Sequence, residues 1–334
     1  MWKKFLLAFT LMFTALNLYA ALRYELPYPL PLGPALDAHI RTNHLRAVEE
    51  KRPQLVLIGD STLTKGVNPK RLSENLGKPI YSIDLPGSAS TLWYLIIKNN
   101  LMEAKTPPPY LLIFFRDTVL TLPDYRVEGE YFTQIDEYAS PKDALLIERA
   151  YVNQMSPLEQ AAASYLPLYG ARREMRVSLD ELIRYAPAQA LLNCERACVR
   201  EALSVPFGSA RNEQALNAAI YVADESLYSP RSLNFARQAP RSFLPEIIRM
   251  AQEQNVQLIL VRMKTREFHQ RFPALENYMR DLSAYAQANG VILMDYGADP
   301  RLTEDLYADT LHLNGKGEAA FTEILSADLA PLLR

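Results

Sequence analysis

Five short runs of consecutive apolar residues punctuate the chain, and each stops abruptly at a polar residue or a glycine. They are QLVLIG at 54–59, PIYSID at 79–84, YLLIFF at 110–115, VQLILVR at 256–262 and GVILMD at 290–295. None alternates apolar with polar, so each is expected to form a strand covered on both faces. Helical periodicity fills the intervals at 69–77, 90–104, 241–254 and 274–288,. Strands alternating with helices predict an α/β fold, a five-stranded parallel sheet with helices on both sides. The alternation lapses between about 119 and 240, a stretch rich in Tyr, Ala and Arg that contains SLDELIRYAPAQALL. A mostly helical insertion between the third and fourth strands is expected there.

The N-terminus has a different character. Lys3 and Lys4 precede an almost unbroken apolar run from Phe5 to Leu22. A basic start followed by such a run reads as an export signal, and its length lies at the short end of what spans a bilayer. Leu18 and Tyr19 suit cleavage after Ala20 or Ala21 poorly, so an uncleaved anchor over 1–22 is favoured over a cleaved peptide. Residues 23–50 begin with a proline-rich stretch, LPYPLPLGP, and are expected to form an extended spacer before a domain at 51–334,. The remainder of the chain would thus be delivered to the bacterial cell envelope, on the extracytoplasmic side. Cys194 and Cys198 sit close together in NCERACV. They are expected to form a local disulfide in a bent segment, since two ligands are too few for structural zinc.

The formal net charge is −2 and no Lys/Arg block occurs, so binding nucleic acid by phosphate neutralisation has no electrostatic support,. Nor is there a metal-ligand cluster or a phosphate-cradling glycine loop, and no cofactor is expected.

Ligands of open parallel sheets bind beyond the carboxyl ends of the strands. Ser61 follows the first strand directly, in IGDSTLTKG. By itself it reads first as a turn or cap residue, because a serine hydroxyl needs a base, itself oriented by a third group, before it attacks. Of the four histidines, His312 lies in DTLHLNGKG with Asp309 three residues before it, just after the fifth strand. In a loop, that spacing lets the carboxylate fold back on one imidazole nitrogen and leaves the other for Ser61. His39, His44 and His269 have no carboxylate at such a spacing, and Asp60 is expected to shape the turn before Ser61.

IGDS near the start of the domain and DTLHLNGKG near its end resemble the first and last sequence blocks of the SGNH (GDSL-type) hydrolase superfamily. The resemblance implies a flavodoxin-like α/β/α sandwich and an esterase, lipase, deacetylase or O-acyltransferase activity. It implies Ser61 as nucleophile, His312 as base and Asp309 as its orienting acid. It places Gly87, in IDLPGSAS, in the oxyanion hole with the Ser61 amide, although a plain turn after Pro86 is the other reading. The family's third block ends in Asn-Asp, where this chain has Arg116-Asp117 in IFFRDTVL. Arg116 is left with three readings: an oxyanion donor, a grip on an anionic acceptor, or a structural pair with Asp117. Asp117, Trp93 and Tyr94 are candidate substrate-binding residues, the two aromatics alternatively packing a helix on the sheet.

The departure at Arg116 resembles divergent envelope-bound members that partner membrane-bound O-acyltransferases. The expected function is an exported serine acyltransferase or acylesterase acting on an envelope glycan, with transfer favoured. A non-catalytic domain that binds polysaccharide or assists a membrane enzyme is the alternative.

Overall fold

The structure is a computed structural model that describes residues 2–172, 175, 225–265 and 273–333. Cys194, Cys198 and His269 lie outside the described residues. The five apolar runs become β1 (Leu55–Gly59), β2 (Ile80–Asp84), β3 (Tyr110–Phe115), β4 (Gln257–Arg262) and β5 (Ile292–Asp295). They form one sheet in the order β2-β1-β3-β4-β5, every neighbouring pair parallel. This is the flavodoxin-like order, and its direction of winding reverses between β1 and β3.

Successive strand residues face opposite sides, and the paired register keeps like parity together. Leu57 lies opposite Leu112, which lies opposite Ile259. With Leu55, Phe114 and Val261 they make one buried face. That face packs against Leu63 of α3 (Ser61–Gly66), Leu72 of α4 (Pro69–Leu76) and Phe321, Leu325 and Leu329 of the final long helix, Gly315–Leu329. Val56, Ile58, Leu111, Ile113, Leu258 and Leu260 on the other face are equally buried. The central strands are therefore covered on both sides as expected. The edge strands are not: most of β2 and β5 is only partly buried. An edge strand has one neighbour instead of two, which its apolar composition does not reveal.

The chain divides into two compact units, 1–34 with 151–216, and 35–150 with 217–334. In the first unit an apolar helix, α1 (Trp2–Arg23), is long enough to cross a membrane, at about 33 Å for 22 residues,. Ala20 is its one buried residue, and Phe5, Leu7 and Leu11 are exposed. In the same unit, Asn17 accepts a hydrogen bond from the Leu168 amide at 3.0 Å.

The second unit holds the sheet, and two stretches of it differ from the sequence expectation. Residues 119–150, read as insertion, belong to this unit, and so does the end of the expected spacer. The latter forms a nine-residue helix, α2 (Asn43–Lys51), whose buried residues are His44 and Val48. The His44 ring lies between the Tyr81 and Tyr138 hydroxyls, at 2.9 and 3.1 Å. No strand occurs among the described residues of 119–240.

Burial, reinforced by the nearby Arg41 charge, pushes His44 down to about 4 from an ordinary value of 6.5. The unfolded chain takes up this proton near pH 6.5, whereas the folded chain resists it until about 4, so stability is lost as pH falls across that window,. The loss amounts to about 3 kcal/mol. Urea unfolding should show the advantage of wild type over His44→Gln shrinking by about that much between neutral pH and pH 4. A pH-independent difference would mean that His44 is not buried in the neutral form.

Candidate active site

β1 ends in Gly59, and the packing there explains the glycine. A Cβ at Gly59 would lie 2.9 Å from the Phe114 Cβ and 3.1 Å from the Phe114 carbonyl oxygen of β3. Close approach of the strands thus sets the point where β1 gives way to the next turn. Asp60 then caps α3, its carboxylate Oδ1 accepting from the Thr62 amide at 2.9 Å and the Thr62 hydroxyl at 2.7 Å,. Ser61 is the first residue of α3. The two sequence readings of this serine coincide, since it both starts a helix and faces the carboxyl edge of the sheet.

The Gly59 carbonyl also anchors the turn after β2. It accepts from the Leu85 amide at 3.0 Å and from the Ser88 hydroxyl at 3.3 Å. Leu85-Pro86-Gly87-Ser88 closes with a Ser88 N–H to Leu85 carbonyl bond at 2.9 Å, and Gly87 has φ +82°. Proline followed by a residue of positive φ makes a type II turn, which requires glycine or asparagine at the third position. The turn that carries Gly87 is therefore tied to the residue two before Ser61. Among the described residues, no acceptor takes the Ser61 or the Gly87 amide hydrogen.

His312 arrives from the far end of the chain. After β5, the segment to residue 307 is drawn across the end of β4 by the buried Lys264, whose ammonium donates to the Asp299 and Leu302 carbonyls at 3.1 and 2.8 Å. The Tyr307 hydroxyl donates back to the Lys264 carbonyl at 3.1 Å. Tyr307 and Leu313 then form an antiparallel bridge, with the Ala308 amide on the His312 carbonyl at 2.8 Å. Asn314 locks the loop at its base. Its side-chain oxygen caps the final helix by accepting from the Lys316 and Gly317 amides, and its amide nitrogen donates to the Asp305 carbonyl at 2.8 Å.

Within this loop Asp309 Oδ1 accepts from the Leu311 and His312 amides, both at 2.7 Å. Its Oδ2 lies 2.8 Å from His312 Nδ1, and His312 Nε2 lies 2.8 Å from Ser61 Oγ. Burial would raise the Asp309 carboxyl, but the hydrogen bonds from the His312 ring and from the two amides outweigh it and hold the group below its ordinary value,. Asp309 is thus an anion at neutral pH, and an anion on Nδ1 leaves Nε2 to accept the Ser61 proton. The His312 side chain is 19% exposed, so the pair is not sealed from solvent.

Arg116 follows β3 across the switch point from Ser61 and is 1% exposed. Its Nε lies 3.9 Å from Asp60 Oδ2, and its Nη2 donates to the Tyr125 hydroxyl at 3.1 Å. Asp117, a candidate for substrate binding, is 4% exposed and pairs with Arg262. Its φ is +42°, its Oδ1 accepts from Arg262 Nη2 and Nε at 2.6 and 3.0 Å, and its Oδ2 accepts from Tyr228 at 2.5 Å. The left-handed backbone turns this carboxylate towards β4, where it joins a structural ion pair instead of Arg116 or a ligand. Burial would lower Arg262, but the Asp117 and Asp295 carboxylates keep its guanidinium above the ordinary value.

Trp93 and Tyr94, offered by the sequence as substrate-binding aromatics, are 0% and 2% exposed. Trp93 donates its ring N–H to Ser88 at 2.7 Å, and Tyr94 stacks on Phe243 with centroids 4.3 Å apart. Both pack the helix Ser90–Ile96 onto the sheet, and Trp93 also steadies the Gly87 turn. Lys264 and Asn314 were not singled out from the sequence. The one signal available for Asn314 was its position directly before Gly315, where a capping residue belongs.

No family model and no curated protein matches the chain. Solved structures that it resembles include a candidate acylhydrolase from Bacteroides fragilis NCTC 9343, 12% identical, with TM-score 0.40 over 95% of this chain and 96% of the other. Another is a GDSL-like lipase from Bacteroides thetaiotaomicron VPI-5482, 11% identical, with TM-score 0.37 over 87% and 98% of the two chains. A third is a candidate arylesterase from Agrobacterium tumefaciens C58, 12% identical, with TM-score 0.33 over 83% and 98%.

Replacing Asn314 with Ala removes a helix cap and the base of the His312 loop together. The expected cost is about 1–2 kcal/mol in chemical denaturation. An unchanged unfolding midpoint would show that the loop is held without Asn314.

Proposed function

We propose that this chain is an exported, membrane-tethered serine acyltransferase or acylesterase that acts on a cell-envelope glycan. The observation that carries the reading is the continuous path from Asp309 Oδ2 through both His312 nitrogens to Ser61 Oγ, with 2.8 Å at each step. Such a path gives a serine its base and gives the base its orientation.

The chemistry then balances in two halves. Ser61 Oγ attacks the acyl carbonyl as its proton passes to His312 Nε2, and the imidazolium is stabilised by the Asp309 carboxylate. The tetrahedral oxyanion is met by the Ser61 and Gly87 amides and by the charge of Arg116. Collapse breaks the bond to the leaving alcohol, which departs with the proton from His312, and leaves the acyl group esterified to Ser61. An incoming hydroxyl gives its proton to His312, attacks that ester and takes the acyl group, and Ser61 regains its proton. A glycan hydroxyl as acceptor makes this transfer, and water makes it hydrolysis.

The apolar helix at the N-terminus supports tethering at the envelope membrane, since its exposed apolar surface calls for a non-aqueous cover,. Tethering favours transfer, because it would hold Ser61 near an acyl donor delivered by a membrane-bound O-acyltransferase. One observation favours the non-catalytic alternative. Arg116 stands where the family pattern has a neutral Asn, and Asp60 beside it offsets part of the charge that an oxyanion would meet.

A fluorophosphonate probe should label the wild-type protein and fail to label Ser61→Ala. Labelling that persists in the variant would exclude Ser61 as the nucleophile, and an unlabelled wild type would favour the accessory reading. Arg116→Ala should lower kcat on an activated acetyl ester about 10²-fold if the guanidinium meets the oxyanion. An unchanged kcat would remove Arg116 from the chemistry.

A further inference from the structure

Beside the candidate active site lies a cleft of about 340 Å³, lined by Leu122, Asp124, Tyr125, Arg126, Arg231 and three serines, Ser226, Ser229 and Ser232. That volume is at the lower end of the range in which small ligands are held, roughly 300–1,000 Å³. Its lining combines charged and hydroxyl side chains with the apolar Leu122 and the Tyr125 ring, a mixture that suits a ligand with both polar groups and an apolar face,.

Two features tie the cleft to the chemistry. Tyr125 forms part of its wall and accepts a hydrogen bond from Arg116 Nη2, so one residue separates the cleft from the end of β3. Arg126 faces the Gly87 turn: a Cβ placed on Gly87 would lie 3.9 Å from Arg126 Nη1 and 3.0 Å from the Tyr131 ring. Arg126 itself is held in a left-handed conformation, φ +57°, with its guanidinium over the Tyr125 and Tyr131 rings at 5.0 and 5.4 Å. A non-glycine residue adopts that backbone at a cost, and such strain concentrates at ligand-binding positions.

The charge balance specifies the ligand further. The cleft has two guanidinium groups, Arg126 and Arg231, against one carboxylate, Asp124. Arg231 Nη2 lies 3.8 Å from Asp124 Oδ2, a loose pairing with Arg231 about half exposed. The lining thus carries one net positive charge by residue count, which favours an anionic ligand over a neutral one,. Guanidinium groups read a carboxylate through paired N–H donors, while the Ser229 and Ser232 hydroxyls are already bonded to each other and to the Ser226 carbonyl,.

We propose that this cleft is the acceptor subsite, and that it binds a carboxylate-bearing sugar of a uronic-acid type, with Arg126 taking the carboxylate. The proposal rests on the acyl-transfer reading for its name as an acceptor site, but binding is measurable without any chemistry.

Titration of the full chain in detergent with a galacturonate hexasaccharide, against its neutral galactose counterpart, separates the possibilities. The acidic oligosaccharide should bind the wild type and Ser61→Ala alike, weaken as ionic strength rises, and exceed the neutral one at least tenfold in affinity. Arg126→Gln should weaken it about tenfold, and Arg231→Gln should do so to a lesser degree, with thermal melts verifying that both variants fold. No binding to the wild type, equal binding of the neutral oligosaccharide, or unchanged affinity in both folded variants would each overturn the proposal. Loss of fluorophosphonate labelling with acidic-sugar binding intact would instead contradict the acyl-enzyme chemistry and leave the cleft as a binding site.

Discussion

Every strand of the sheet runs in the same direction, and the candidate site depends on that one constraint. Parallel strands all end at one edge, so residues that follow β1, β2 and β3 meet there whatever their separation in sequence. At the reversal between β1 and β3 no crossing helix fills the crevice, and ligands of such sheets bind there. The bond between His312 and Ser61 closes across 251 residues of sequence for this reason. Backbone groups then adjust the local geometry: the Gly59 carbonyl holds the turn of Gly87, and the Asp309 carboxylate is fixed by two amides before it reaches the imidazole.

The second organising interaction is the buried charge at the end of β3. Arg116 would be costly alone in the interior, and Asp60 at 3.9 Å offsets part of that cost,. Asp60 simultaneously caps α3, so one carboxylate orients Ser61's helix with Oδ1 and faces the guanidinium with Oδ2. A site built on a charged donor has a different balance from one built on a neutral Asn. The cation is already partly satisfied, which in the proposed chemistry reduces its pull on an oxyanion but fixes its position. Tyr125 carries the same network outward to the cleft that holds Arg126 and Arg231.

The strands were legible because a doubly covered strand needs an unbroken apolar run, and β1 and β3 show it without exception. Edge strands β2 and β5 read the same way, since a run of apolar residues does not record how many neighbours a strand has. The helix Asn43–Lys51 escaped because it is short, polar on balance and buries only His44 and Val48. Asp309 and His312 stood out through their three-residue spacing, and Ser61 through its place after β1 and the resemblance of both stretches to known sequence blocks. The partners of Arg116 and Asp117 did not, because they follow from the register between strands and from the left-handed backbone at Asp117. Lys264 was invisible for a similar reason. A lysine after a strand reads as surface, yet here three hydrogen bonds, two from its ammonium and one to its carbonyl, carry the His312 loop across the sheet.

The central claim is that an acyl group resides on Ser61. The most direct test is to quench the full-length protein during turnover of an activated acetyl ester and locate acetyl by peptide mass spectrometry. The account predicts a single acetylated peptide, the one containing Ser61, absent from both Ser61→Ala and His312→Ala. Acetyl on another residue, or turnover that continues in Ser61→Ala, would contradict it.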